Sequence, residues 1–389
     1  MKYDELKDRI FAEIRKNQDE LFELNKDLFD HPELSGEEYE SSKKIVNLLK
    51  SKGYSTVYPF ADLDTAFKAV YGPDNHKYKV AILTEYDALP EVGHACGHCL
   101  SAAISLLAGL ATKDLQDELD TDIHIIGTPI EETDGAKAKM AKDGIFDGYN
   151  MAIMVHLYDY NIAKPKFQAL ASNLYIFHGK ASHASAAPWE GKNAWNGAQL
   201  MFHATDMLRQ HIKPELQIHG IIRNGGEAPN IVPELVTAEF YMRAYDRDVL
   251  QDLVNKIEDC ARGAAIATQT TYEIEPTAAT YDNLKSNPTG DSSLEEVFGE
   301  LELPLNEYTG GTFGSSDCGN VSYVCPTFHP CLQVVDHGVA IHTREFADCM
   351  KTERAYEGLE KGAKIIALQI AKIFSDEDRI NGMKRDFEA

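Results

Sequence analysis

The sequence predicts an α/β protein in which a smaller domain is inserted into a larger one. Short apolar segments alternate with helical patterns in the N-terminal part, which is typical of a mostly parallel sheet flanked by helices. The middle of the chain has patterns in the order β-α-β-β-α-β, which is ferredoxin-like. The length of 389 residues exceeds what one ordinary core accommodates, so two domains are expected.

The N-terminal elements follow from hydrophobic periodicity. Two amphipathic helices are expected at 5–28 and 37–52, because His31-Pro32-Glu33-Leu34-Ser35-Gly36 separates them and Gly53 ends the second. Small residues and leucines over 101–111 indicate a buried helix. The expected strands are 79–83, 122–127 and 151–155.

The middle and the C-terminal part complete the predicted architecture. The ferredoxin-like pattern has strands at 173–178, 216–222, 235–243 and 271–275, with helices at 193–211 and 247–268. After it come predicted helices at 293–301 and 352–374, with a glycine-rich loop between them, which belong again to the α/β domain. We therefore predict a discontinuous catalytic domain over 1–165 and 281–389, and an inserted lid and dimerisation domain over 166–280.

Composition excludes several classes of function. Sixty-two acidic residues against 38 basic ones give a formal charge of −24, which repels nucleic acid. No apolar run approaches the roughly 18 residues of a membrane span, so no membrane partner is expected. The N-terminus has no signal-peptide pattern, which predicts a cytoplasmic protein. Seven cysteines, an odd number in a chain without an export signal, argue against a disulfide framework.

Potential metal ligands follow the predicted strands. Asp87 comes after the first strand, Glu131 and Glu132 come after the second, and His156 comes at the end of the third. Cys96 and His98 open the buried helix. Ligands of open α/β sheets bind outside the carboxyl ends of the strands, so we expect these side chains to converge on one rim.

The residue types indicate hydrolytic chemistry. A thiolate, imidazoles and carboxylates suit zinc and similar ions. Adjacent side chains on an irregular loop point in different directions, so Glu132 can bind a metal while Glu131 faces a water molecule bound to that metal. A metal lowers the pKa of its water from 15.7 to about 7, and a carboxylate can then accept the proton.

Structural interpretations of the same residues stay open. An adjacent Glu131-Glu132 pair is usually a solvated surface, His156 fits a core histidine, and Cys96 fits a small buried hydrophobic residue. Cys96 and Cys99 also form a C-x-x-C motif, which suggests a thiol oxidoreductase. That alternative leaves the hydrolytic residues unexplained, and no Trp precedes Cys96.

Several motifs together resemble the amidohydrolase branch of the M20 peptidase family, which includes aminoacylases, hippurate hydrolase, aminobenzoyl-glutamate hydrolase and β-alanyl-lysine dipeptidase. They occur in family order over nearly the whole chain. The motifs are Glu85-Tyr86-Asp87-Ala88-Leu89-Pro90, Gly93-His94-Ala95-Cys96-Gly97-His98, Glu131-Glu132, Met154-Val155-His156, Gly179-Lys180-Ala181-Ser182-His183-Ala184-Ser185, Ala228-Pro229-Asn230-Ile231-Val232-Pro233, Gly314-Ser315-Ser316-Asp317 and His342-Thr343-Arg344-Glu345-Phe346-Ala347.

The resemblance implies a binuclear metal site. Two divalent ions per chain are expected, zinc in the first place, with manganese or cobalt as alternatives. Glu131 would be the general base, and Asp87 would orient a ligand. Cys96 would bridge the two ions. The implied metal ligands are Cys96, His98, Glu132, His156 and His342.

The resemblance also implies a homodimer formed through the inserted domain. His183 would reach the partner's active site and stabilise the oxyanion. Asn230 and Arg243 would hold the substrate carboxylate, although Arg243 also fits a structural ion pair. Backbone amides near Gly314 and Ser315 would assist.

These inferences predict an aminoacylase-type metallopeptidase. It would cleave the amide bond of small N-acyl amino acids or dipeptide-like substrates with a free carboxylate, using a metal-activated hydroxide and Glu131. The alternatives are a non-catalytic protein that binds an acyl-amino acid and the thiol oxidoreductase. Cys99 departs from the family, which has Asp or Asn at this position, so selectivity or redox sensitivity is expected to differ.

Overall fold

The computed structural model describes residues 3–306 and 314–389, and it divides the chain into two compact units. The first unit contains 3–165, 284–306 and Asp317–Ala389. The second contains Lys166–Asn283 together with 314–316, so it ends three residues later than predicted and also takes in Gly314 and Ser315. Most of the predicted glycine-rich loop falls on 307–313, outside the described residues.

Twelve strands and twelve α-helices are formed by the described residues. The strands are β1 Ser55–Val57, β2 Phe67–Val70, β3 Tyr78–Thr84, β4 Thr121–Gly127, β5 Met151–Ile153, β6 His156–Tyr158, β7 Ala169–His178, β8 Gln217–Asn224, β9 Leu235–Ala244, β10 Thr271–Pro276, β11 Thr327–Phe328 and β12 Cys331–Gln333. The helices are α1 Tyr3–Asp30, α2 Tyr39–Ser51, α3 His98–Thr112, α4 Gln116–Leu119, α5 Ala136–Lys142, α6 Ala194–Leu208, α7 Arg247–Thr268, α8 Pro288–Glu300, α9 Cys318–Ser322, α10 Arg344–Asp348, α11 Glu353–Phe374 and α12 Glu377–Glu388.

The first unit is built on a six-stranded sheet in the order β1-β2-β4-β3-β5-β11. Strands β4, β3, β5 and β11 run parallel, whereas at one edge β2 pairs antiparallel with β4 and β1 pairs antiparallel with β2. Val80 and Ile82 of β3 pack into one apolar core, and Ala81 and Leu83 pack into another. Both faces of the sheet are therefore covered, which explains why these strands read as continuous apolar runs.

Helices α1, α3 and α11 pack against one another in the larger of these cores. Every residue of α3 is buried, which its alanines, serines and leucines allow. A second, two-stranded parallel sheet pairs β6 with β12. In the part of the chain that the structure describes, no helix is long and apolar enough to cross a membrane.

The second unit has the predicted ferredoxin-like order, β7-α6-β8-β9-α7-β10. Its four strands form an antiparallel sheet in the order β10-β7-β9-β8. Helices α6 and α7 pack against each other and against β7 and β9. Phe177, Phe240, Met201 and Ile257 lie in the resulting core. The predicted fold class, a mostly parallel α/β sheet with an inserted ferredoxin-like domain, is confirmed.

Three local predictions were wrong. His156 begins β6 instead of ending β5, because the chain leaves the large sheet after Ile153 and pairs with β12. Helix α8 begins at Pro288, five residues earlier than predicted, where the side-chain oxygen of Asn287 caps it by accepting a hydrogen bond from the Gly290 amide. Strands β1, β2, β11 and β12 were missed, since each has at most four residues and carries little periodicity.

Candidate metal centre

The predicted ligands of the first unit converge beyond the carboxyl ends of β3, β4 and β5. Candidate ligand atoms of Cys96, His98 and His156 lie within 4.8 Å of one another, and so do those of Cys96, Glu132 and His342. The two groups share Cys96. A third group within the same distance joins His98 to Glu131 and Glu132. The side chains that follow three separate strands are thus gathered on one rim, as parallel strands dictate.

Gly97 places Cys96 and His98 on either side of a sharp turn into α3. Its φ of +81° lies in the left-handed region, where glycine is the favoured residue. A Cβ atom here would lie 2.9 Å from Leu157 Cδ1 and 3.2 Å from Met350 Sδ. Both the turn and the close packing therefore require glycine between the two candidate ligands.

Asp87 fixes two of the candidate ligands. Its Oδ1 lies 3.0 Å from His98 Nδ1, and its Oδ2 accepts a hydrogen bond from the Glu132 amide at 3.0 Å. The Ser35 hydroxyl donates to the same Oδ2 at 2.6 Å. Burial by itself would raise the pKa of Asp87, but the adjacent His98 holds it below its usual value. Asp87 is therefore a carboxylate that orients the imidazole, a common arrangement at metal sites.

The other two candidate histidine ligands, His156 and His342, are held in place by a hydrogen bond of a ring nitrogen or of the backbone. His156 Nδ1 donates to the Leu157 carbonyl at 2.9 Å, which leaves Nε2 to face Cys96 Sγ at 3.4 Å. His342 donates its backbone N–H to the Ala95 carbonyl at 2.8 Å, next to Cys96 in the chain. Its Nε2 lies 3.6 Å from Glu132 Oε2. The Nε2 lone pair of His156 is therefore directed toward the shared thiol of Cys96.

Glu38 anchors the turn that carries Glu131 and Glu132, a role that the sequence analysis did not predict. Its buried Oε1 accepts hydrogen bonds from the amides of Gly36 (2.8 Å) and Ile130 (3.0 Å), and Thr65 donates to Oε2. Ile130 has a φ of +63°, which a β-branched residue rarely adopts. Glu38 lies in a glutamate-rich segment, Gly36-Glu37-Glu38, whose surface-like composition hides its buried role.

A buried ion-pair network adjoins the centre and was also missed. Lys137 is 0% exposed, and its Nζ lies 2.6 Å from both Glu85 Oε1 and Asp317 Oδ1. Glu85 Oε2 in turn lies 3.3 Å from His98 Nε2. The sequence did contain a signal, since Glu85 and Asp317 both belong to motifs that carry the family resemblance.

Burial raises the pKa of Glu131 well above its usual value, and the negative charges of Glu85, Asp317 and Glu132 raise it further. Lys137 opposes this effect. The centre thus contains more buried carboxylate than cationic charge, a balance that favours the binding of cations. Glu132 Oε1 is buried and has no hydrogen-bond partner among the described residues, and the mixed thiol, imidazole and carboxylate set suits zinc-type ions. The residues present therefore fit divalent metal ions.

We expect Lys137→Met to destabilise the protein by about 3–5 kcal/mol, because it leaves the charges of Glu85 and Asp317 buried without their partner. Denaturant unfolding would measure the change in the free energy of unfolding. Lys139→Met is the matched control, because Lys139 lies on the same helix with an exposed partner, Asp143, and should lose less than about 1 kcal/mol. Equal losses in the two variants would contradict a structural role for the buried network.

The cysteines do not resemble a redox pair. None of the seven cysteines, all of them in the described part of the chain, forms a disulfide, and both Cys96 and Cys99 are buried. Burial raises the pKa of Cys96 above its ordinary value and that of Cys99 to about 12. Reactive C-x-x-C thiols have a lowered pKa instead. Cys99 is the second residue of α3, and its side chain packs in the apolar core instead of joining the ligand groups described above.

The second unit holds the other predicted site residues, and it does not bring them all together. His183 forms a bridge with Ile231 and lies beside Asn230, whose carbonyl accepts from the Ala184 amide. Arg243 lies near the other end of β9, where its guanidinium donates to the Ser315 hydroxyl at 2.8 Å.

Leu235, at the start of β9, pairs with His178 at the end of β7, and Arg243 follows eight residues later. The strand rise makes this separation about 26 Å. One copy of this unit therefore cannot place His183 and Arg243 on the same small ligand.

The carbonyl of Gly314 accepts from the Gln168 amide at 2.8 Å.

Comparisons with known proteins agree with this architecture. Residues 168–268 match the family model of a peptidase dimerisation domain. The chain is 32% identical to an Xaa-Arg dipeptidase of Mus musculus, in an alignment that covers 98% of this chain and 92% of that protein. It is 24% identical to one of the chains of the p-aminobenzoyl-glutamate hydrolase of Escherichia coli K12, over 96% of this chain and 93% of that one.

A solved structure from Bacillus subtilis, described as a dinuclear metal binding peptidase, superposes with a TM-score of 0.68 at 16% identity, over 92% of this chain and 99% of that one. The fold, the arrangement of side chains and these relatives define a hydrolytic enzyme of the metal-dependent amidohydrolase class. The chain belongs to the M20 peptidase family.

Proposed function

We propose that the protein hydrolyses the amide bond of small N-acyl amino acids or dipeptides that carry a free carboxylate, with two divalent metal ions at the candidate centre. The observation that carries the proposal is the pair of ligand groups that share Cys96, one with His98 and His156 and the other with Glu132 and His342. Because both groups include the Cys96 thiol, Cys96 would hold both ions, which supports a binuclear site.

Glu131 is the proposed general base. Divalent ions held by these ligands would polarise the substrate carbonyl and lower the pKa of a water molecule. Glu131 then accepts the proton of that water and passes it to the leaving amine. Its raised pKa, which results from burial and from the nearby carboxylates, brings it closer to the range in which a group both accepts and releases a proton near neutrality.

Asp87 and Glu38 are proposed to position the machinery without touching the substrate. Asp87 contacts the imidazole of His98 and the backbone of Glu132, so it sets the orientation of one ligand from each metal group. Glu38 holds Ile130, the residue before Glu131. Second-sphere contacts of this kind tune metal affinity by roughly 10–100-fold.

His183 is proposed to donate a hydrogen bond to the oxyanion of the tetrahedral intermediate. Its Nδ1 lies 3.3 Å from the amide nitrogens of Ser185 and Ala186, which donate to it. The neutral imidazole therefore carries its proton on Nε2, and the exposed ring presents this N–H outward. A donor preorganised in this way is what oxyanion stabilisation requires.

The carboxylate of the substrate is proposed to bind Arg243 and Asn230, with assistance from the backbone at Gly314 and Ser315. Arg243 and the Asn230–His183 pair are too far apart in one copy of the second unit to share a small substrate. A homodimer removes this difficulty, because one chain can supply Arg243 while its partner supplies His183 and Asn230.

The edge strand β8 is the proposed contact between the two copies. It carries the apolar Ile221 and Ile222 and no acidic residue, whereas the opposite edge strand β10 carries Glu273 and Glu275. Ile221 is exposed. The charged residue of β8, Arg223, is paired with Glu239 of the neighbouring β9, whereas β10 presents two acidic residues, and charges on an edge oppose pairing with another strand. The match to a peptidase dimerisation domain supports a dimer formed through this unit.

Metal removal tests the proposal. We expect chelation to abolish the release of free amine, and zinc, manganese or cobalt to restore it, because the carbonyl and the water are activated only at the metal centre. The substrate panel would contain Xaa-Arg dipeptides, p-aminobenzoyl-glutamate and simple N-acyl amino acids, as the names of the relatives suggest. Elemental analysis of the restored protein should approach two ions per chain. Full activity in a metal-free preparation, or no turnover of any substrate with any metal, would overturn the proposed function.

A further inference from the structure

A second cluster of histidine and aspartate lies at the opposite end of the parallel sheet. Asp74 and His76 precede β3, and Asp122 and His124 lie at the start of β4, so the same Asp-x-His spacing occurs on two neighbouring segments. Since β4 ends at Gly127, its two ends are separated by about 20 Å. The candidate metal centre follows the carboxyl ends of these strands, so this cluster is a separate feature.

Three of these side chains have potential ligand atoms that lie close together. Candidate ligand atoms of Asp74, Asp122 and His124 lie within 4.8 Å of one another. His124 Nε2 is 3.5 Å from Asp74 Oδ1, which is longer than an ordinary N–H···O hydrogen bond. With metal–ligand bonds of 2.0–2.2 Å, nitrogen and oxygen ligands of one tetrahedral ion lie about 3.3–3.6 Å apart.

The two buried members are held firmly by other contacts. Asp122 Oδ1 accepts from the amides of Asn75 and His76 and lies 2.7 Å from His76 Nδ1. His124 Nδ1 lies 2.7 Å from the Tyr149 hydroxyl. The remaining atoms, Asp122 Oδ2 and His124 Nε2, are buried and have no hydrogen-bond partner among the residues that the structure describes.

Outer contacts of this type are typical of metal sites. A ligating histidine usually donates its other N–H to an oxygen, and ligating carboxylates are themselves hydrogen-bonded. Tyr149 supplies the oxygen beside the second ring nitrogen of His124, and His76 supplies a hydrogen bond to the carboxylate of Asp122. The orientation that results leaves one imidazole lone pair and one carboxylate oxygen facing Asp74, whose side chain is partly exposed to solvent.

The charges around the cluster are compatible with a cation. Asp74 and Asp122 supply two carboxylates, and His124 Nε2 lies beside them. Lys79 Nζ lies 2.6 Å from Asp74 Oδ1 and 3.9 Å from Asp122 Oδ2.

We propose that Asp74, Asp122 and His124 form a third binding site for a zinc-type divalent cation, separate from the catalytic centre. Two carboxylates and one imidazole form an oxygen–nitrogen donor set suited to zinc, with a water molecule as the fourth ligand. The ammonium group of Lys79 competes with the ion for the two carboxylates. Its side chain is 36% exposed, so it can swing into solvent when the ion binds. A bound ion would join the segment before β3 to the start of β4.

The test uses the full chain already loaded with its catalytic metals and measures further zinc uptake by competition with a chromophoric chelator. We expect wild-type protein to bind one additional ion, and Asp74→Asn to weaken that binding by roughly tenfold or more, because a ligand is lost. Asp74 is the least disruptive ligand to change, since its side chain is partly exposed whereas Asp122 and His124 are buried. Lys79→Met should tighten the additional site by roughly tenfold or more, because a competing positive charge is removed.

Asp117→Asn is the matched control. Asp117 is 94% exposed, contacts the outer residue His76, and changes the charge by the same amount as Asp74→Asn, so the variant should bind zinc like the wild type. Anomalous scattering at the zinc edge, recorded from Lys79→Met crystals, should give a peak bounded by Asp74, Asp122 and His124. Uptake that is identical in all four proteins, or an anomalous peak confined to the catalytic centre, would overturn the proposal. Both measurements are independent of whether the protein hydrolyses amides.

Discussion

Glu131→Gln is expected to reduce turnover by about 10²–10⁴-fold or more, while the fold and the metal content stay unchanged. General acid–base catalysis contributes about this much, and loss of the activated water adds to it. Glutamine keeps the size of the side chain but cannot accept a proton at neutral pH. Measurement of kcat together with elemental analysis would separate a catalytic loss from a loss of metal.

Glu132→Gln is the comparison that makes this prediction specific. Glu132 is adjacent in the chain and has the same chemistry, but it lies in the ligand group with Cys96 and His342. The variant should bind metal more weakly, and high metal concentrations should restore part of its activity. Because the structure also groups Glu131 with His98 and Glu132, the pair of variants tests the proposed division of roles between the two glutamates directly. Reversed behaviour of the two variants would exchange the roles.

His183→Ala is expected to lower turnover by about 10²–10³-fold without loss of metal, which is the usual cost of removing one oxyanion donor. The side chain is exposed and its ring contacts its own turn, so stability should change little. His203→Ala, at an exposed position on α6 of the same unit, is the matched control and should retain full activity.

A mixed dimer distinguishes action on the partner from action within one chain. When His183→Ala chains are combined with Glu131→Gln chains, each mixed dimer should contain one complete site, so activity should return to a substantial fraction of wild type. The two homodimers should remain nearly inactive. Recovery is expected because His183 and Arg243 lie near opposite ends of one sheet and cannot serve the same small substrate from one chain. Mixed dimers that form without any recovery of activity would show that His183 does not act across the interface.

Sequence patterns predicted the parts of the site that depend on residues close together in the chain. Glu131, Glu132 and His156 each follow an apolar strand, and parallel strands bring their carboxyl ends to one edge. Cys96 and His98 could be added because they open a helix beside that edge. The structure brings these residues together, and with them His342, which only the family resemblance suggested.

The supporting residues could not be predicted in this way. Lys137, Glu38 and Asp122 look like ordinary surface residues in the sequence, yet all three are buried. Burial of a charged side chain depends on a partner from a distant segment, and no local pattern records that partner. The Asp-x-His pattern of the proposed third site occurs twice in the sequence, but the sequence does not show that the two segments are neighbours. That follows from the pairing of β3 with β4, which places them side by side.

The sequence by itself determined the α/β class, the inserted ferredoxin-like unit and the rim on which the candidate ligands gather, because each depends on hydrophobic period and on strand direction. Only the tertiary structure decided which carboxylates orient ligands and which balance a buried lysine. It also decided that His183 and Arg243 lie near opposite ends of β9. The physical reason is that hydrophobic periodicity acts over a few residues, whereas the partner of a buried charge and the register of a sheet are set by contacts between segments far apart in the chain.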